Sequence, residues 1–99
     1  MLQFSHKQQG YFMTFQDCPI CGTRVECTPF TTKNMDQILI FKCPLEGHYS
    51  VTFELDERLR NRVTNHERAL FQNRVMERTG KLKDENAEQV AVVHFSSLA

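Results

Sequence analysis

Two short segments constrain this chain more than anything else in it: Cys-Pro-Ile-Cys-Gly at 18–22 and Cys-Pro-Leu-Glu-Gly-His at 43–48. A Cys-x-x-Cys turn presents two sulfurs at one corner, and structural zinc takes four Cys or His ligands in a tetrahedron. Twenty-one residues separate Cys21 from Cys43, room enough for two strands and a hairpin to bring the second segment back beside the first. Gly22 and Gly47 stand where such turns need positive φ. The spacing therefore predicts one structural Zn2+ ion held by Cys18, Cys21, Cys43 and His48. Cys27 is the alternative fourth ligand. It alternates with Val25 in a strand-like stretch, where a small buried cysteine serves as core.

Other cysteine chemistries fit less well. A redox Cys-x-x-Cys pair belongs to a βαβ context, and none surrounds residues 18–21. Disulfides belong to oxidising compartments. The first residues lack the charged start, apolar run and small-residue cleavage site of a secretion signal, so the expected location is the cytoplasm, or the host cytoplasm if the chain is phage-encoded. Catalytic zinc keeps an open position beside an acid or base. Here four ligands are on hand, the deaminase His-x-Glu/Pro-Cys-x-x-Cys pattern is missing, and no triad or phosphate-binding loop appears. The chain reads as a non-enzyme.

A chain of 99 residues makes one small domain, of the size that often needs a metal to fold well. Twelve basic residues balance twelve acidic ones, so no global charge draws it to nucleic acid or membrane. No apolar run approaches the ~20 residues of a membrane span.

The periodicities predict an α+β fold. Residues 1–16 form a partly ordered N-terminal segment, with Tyr11–Gln16 a candidate extra strand. Residues 17–55 form a zinc ribbon of about three antiparallel strands, at Arg24–Phe30, Gln37–Lys42 and Tyr49–Leu55, the last alternating with period two. Thr31–Asp36 supplies a hairpin connection. Residues 56–80 read as one long helix, with Asp56 as N-cap and Gly80 beyond its end. Its apolar stripe runs through Leu59, Val63, His66 and Leu70, with Phe71, Val75 and Arg78 beside it. Residues 81–99 form a polar linker and a strand-like tail, Val90–Phe95.

Residues 17–55 resemble the Ogr/Delta family of small phage zinc-finger transcription activators. That family has a Cys-x2-Cys pair, a Thr/Ser-rich middle, then Cys-x4-Cys and a Thr-Phe pair. Cys18, Cys21 and Cys43 match; His48 stands at the fourth position, and Thr52-Phe53 falls one residue late. The resemblance implies a transcription regulator that contacts promoter DNA and host RNA polymerase. Arg58, Arg60, Arg62 and Arg68 on the helix are then the candidate DNA- or partner-binding residues, since guanidinium forks suit phosphate and carboxylate alike. The competing reading of the same arginines is a solvated helix laced with intrahelical pairs. The alternative function is a protein-binding adaptor, or a phage-encoded inhibitor docking on a host enzyme or defence complex, with homodimerisation through helix and tail.

Overall fold

The computed structural model describes residues 14–80 and 92–98. The expectations for residues 1–13 and for the polar stretch 81–89 lie outside the described residues. The rest is α+β. Five strands, β1 (Thr14–Asp17), β2 (Arg24–Thr31), β3 (Gln37–Cys43), β4 (Gly47–Thr52) and β5 (Val93–Phe95), lie in the order in which they occur in the chain. The first four form an antiparallel meander, and β5 joins parallel to β4. Helices α1 (Phe53–Asn61) and α2 (Asn65–Thr79) fall between β4 and β5.

Alternation sets the core face. Cys27, Phe41 and Tyr49 lie opposite one another across three strands, as do Pro29, Leu39 and Val51. Cys27, Phe41, Tyr49, Leu39 and Val51 are all buried beneath the helices, α1 against β3 and β4, α2 against β4 and β5. Phe41 and Tyr49 stack with ring centroids 5.4 Å apart. Leu55 and Leu59 from α1 and Phe71 and Val75 from α2 complete this core.

The connection from β2 to β3 is a tight turn. Met35 N–H donates to Thr32 O at 2.9 Å and Asp36 N–H to Thr32 Oγ1 at 3.1 Å, with Met35 in the left-handed region at φ 69. The third expected strand is shorter than its alternation suggested. Thr52 ends it by capping α1, its side chain accepting from Leu55 N at 3.0 Å. Asp56, expected as the N-cap, instead sits inside α1 and pairs with Arg60 at 2.9 Å.

The expected long helix is two helices. Arg62 ends α1, and Thr64 opens α2 with a reciprocal capping box: Glu67 N–H donates to Thr64 Oγ1, and Thr64 N–H donates to the Glu67 carboxylate. Two backbone donors at the new helix start are thereby satisfied. The break re-aims the stripe, so His66 and Leu70 lie exposed while Phe71, Val75 and Thr79 face inward. Gly80 terminates α2 at φ 89, as expected for a left-handed cap.

Candidate metal centre

The two turns named at the outset meet at one end of the sheet. The first connects β1 to β2: Cys18 N–H donates to Thr23 O at 2.7 Å and Gly22 N–H to Cys18 O at 2.9 Å. The second connects β3 to β4. Gly22 and Gly47 leave these turns at φ 83 and 93, a region closed to most side chains. Cys18, Cys21, Cys43 and Glu46 each send one ligand atom into a group spanning no more than 4.8 Å.

His48 is not in that group. It is the second residue of β4, opposite Lys42, and strand alternation turns it to the face away from Tyr49. Cys27 is also outside it, fully buried in the core. Glu46 takes the fourth position, and the sequence held a signal for this. Cys43-Pro-Leu-Glu46-Gly47 repeats Cys18-Pro-Ile-Cys21-Gly22 with carboxylate in place of thiol. The same turn with the same glycine exit places position four at the same corner; His48, two residues later, has already entered the strand.

The geometry suits a small tetrahedral ion. Around such an ion, neighbouring sulfur and oxygen donors stand about 3.5–3.8 Å apart. Cys21 Sγ and Cys43 Sγ are 3.6 Å apart, and Cys18 Sγ is 3.3 Å from Glu46 Oε1. Cys43 Sγ is closer to that oxygen, at 2.8 Å, the contact of a thiol donating to a carboxylate. The donor set is also cation-seeking. Glu46 is 0% exposed and forms no salt bridge among the described residues. A metal ion among the three sulfurs and this carboxylate would supply the cation that the described residues themselves do not place there.

Electrostatics within the cluster follow from crowding. The Cys18 thiol is lowered to about 7, chiefly by its hydrogen bond with Cys43 and further by Tyr49, against the opposing effect of burial. Cys43 is pushed up by that same hydrogen bond, by burial and by Glu46. Burial raises Cys21 as well. Cys21 and Cys43 thus hold their protons until something cationic displaces them.

A second layer fixes the donors. Gln72 Nε2 donates to Glu46 Oε2 at 2.6 Å, leaving Oε1 aimed at the cysteines. Thr79 Oγ1 donates to Glu46 O at 2.7 Å. Tyr49 OH lies 2.8 Å from Cys18 Sγ, and burial together with the neighbouring Cys18 raises its own pKa. Such partners orient ligands and tune their basicity. A cleft of about 400 Å³ runs along the 18–22 turn, flanked by Arg60 and Arg68. Cys21 is the half-buried member of the group; the other three are buried.

Of the four arginines singled out from the sequence, Arg60 and Arg68 flank the cleft beside the 18–22 turn. Arg60 bonds Asp56 and the Asp17 carbonyl, Arg62 bonds Glu57, and Arg68 bonds Asn65 and the Leu59 carbonyl. Arg58 is exposed. Comparison with protein-family models, with curated proteins and with solved structures returned no match. Among the described residues, no helix is long and apolar enough to cross a membrane.

Proposed function

We propose that this chain is a non-enzymatic interaction module stabilised by one structural Zn2+ ion on Cys18, Cys21, Cys43 and Glu46, a zinc ribbon with a carboxylate fourth ligand. The reading rests on the four-donor cluster. Three soft thiolates favour zinc over magnesium or calcium, and a full set of four protein ligands is the mark of a structural rather than a catalytic site. The ion's chemistry here is to neutralise the donors and tie the β1–β2 and β3–β4 turns together. Purified protein is expected to carry one zinc per chain by elemental analysis. Metal-free protein retaining its full thermal stability would contradict this.

Within that reading, a protein partner is better supported than DNA. Arg60, Arg62 and Arg68 already serve carboxylates, an amide and carbonyls of their own chain, and the net charge is zero. Phosphate would compete with these contacts for the guanidinium donors. The Ogr/Delta-like reading, a phage or bacterial regulator acting on promoter DNA and RNA polymerase, predicts a salt-dependent mobility shift lost in an Arg58/Arg60/Arg62→Ala variant. The adaptor or inhibitor reading predicts no shift at low salt and a stoichiometric protein partner.

A further inference from the structure

The C-terminal strand is held differently from the rest of the sheet. β5 is three residues long and pairs parallel to β4, whose edge it covers. Its most deeply buried side chain is Phe95, with Val93 and Leu98 packed against the same core. Phe95, 3% exposed, meets Phe71 edge-to-face with centroids 5.3 Å apart. The guanidinium groups of Arg74 and Arg78 lie 5.6 and 5.4 Å from its ring centroid. Beyond it, Arg74 donates to the Leu98 carbonyl at 2.8 Å, and before it His94 Nδ1 lies 2.7 Å from Ser50 Oγ.

These are the parts of a strand-addition peptide site: a sheet edge for the main chain, a pocket for one aromatic residue and polar contacts either side. The arginines here recognise an aromatic face and a backbone oxygen, groups any extended peptide with a phenylalanine offers. β5 pairs with β4 over three residues, fewer than any other strand pair of the described sheet. As the edge strand on β4, it can give way to a competing strand without breaking a ladder between β1 and β4.

We infer that the groove between β4 and α2 is a recognition site for an extended segment of a partner protein carrying a β-branched residue and, two positions later, a phenylalanine, and that the chain's own tail occupies it as a resident competitor. This deepens the protein-binding reading and rests on it. Tethering holds the tail at a local concentration on the order of millimolar, so a partner strand must bind at about micromolar strength to displace it.

The test uses the full chain. Phe95→Ala empties the pocket, and a fluorescent peptide with the sequence of residues 91–99 is titrated by anisotropy. The expected result is binding to Phe95→Ala about tenfold tighter than to the unaltered chain, lost when the peptide's own phenylalanine becomes alanine. Equal binding of both peptides, or none to a folded Phe95→Ala protein, overturns the proposal. Hydrogen exchange on the unaltered chain is the second arm. The Val93–Phe95 amides should exchange about 100-fold faster than those of β3; exchange at the β3 rate would make the tail an integral strand and overturn the proposal. So would self-association through the tail at micromolar concentration, which assigns the groove to a second copy. Failure of the peptide arm with zinc still bound and a protein partner still engaged would remove the groove and leave the module reading standing.

Discussion

Glu46 divides its two carboxylate oxygens between the cysteines and Gln72. That division makes Gln72→Ala informative: losing an orienting partner of a ligand is expected to weaken metal affinity about tenfold or more, read by chelator competition. The glycines at the two turns separate backbone strain from crowding. At Gly22 a Cβ meets nothing within 4 Å, so Gly22→Ala carries only the left-handed penalty, ~1 kcal/mol. At Gly47 a Cβ would stand 2.8 Å from Thr79 Oγ1. Gly47→Ala should destabilise by a further ~1–3 kcal/mol in chemical unfolding, because Thr79 must give up its bond to Glu46 or α2 must shift. Proton linkage has a definite sign. Near pH 8 the metal-free cluster keeps protons on Cys21 and Cys43, whose pKa values are raised, while Cys18 at about 7 is mostly ionised. Metal binding should then release about two protons, rising toward three as pH falls below 7, and affinity should fall with pH throughout. Calorimetry in buffers of different ionisation enthalpy measures the count.

At the scale of elements, the sequence was most legible where local chemistry was uncontested. The strands at Arg24, Gln37 and Tyr49, the hairpin between the first two and the Gly80 cap follow from alternation, turn residues and glycine. The helix break did not emerge from apolar spacing, because Leu59, Val63, His66 and Leu70 continue a helical stripe across it. The deciding signal was the Thr64-x-x-Glu67 capping box, a helix start embedded in a helical pattern. Thr52 was likewise hidden, since Phe53 and Leu55 extend the strand alternation into what becomes α1. Thr64→Ala should cost ~1 kcal/mol in chemical unfolding, as for other N-caps; no change would mean the break is set by packing instead. At the centre itself, three of the four clustered donors were legible as cysteines. Glu46 was passed over because carboxylates are common beside turns and histidine is the more usual zinc ligand, although the repeated Cys-Pro-x-x-Gly frame marked its position.

For the whole molecule, a small meander with two helices buries one core, and the cluster of Cys18, Cys21, Cys43 and Glu46 sits at one end of the sheet. Removing metal should lower the melting temperature and leave Cys21, the half-buried member, the first thiol to alkylate. Cys27 should alkylate well after Cys21, because it is fully buried and burial holds its thiol up at about 11. The central claim is that Glu46, and not His48, completes the metal site. Zinc content and affinity of Glu46→Ala, Glu46→Cys and His48→Ala test it most directly. The account predicts unchanged binding in His48→Ala, a loss of about 100-fold or more in Glu46→Ala, and retained binding in Glu46→Cys. Zinc lost from His48→Ala and kept at full affinity by Glu46→Ala would contradict it.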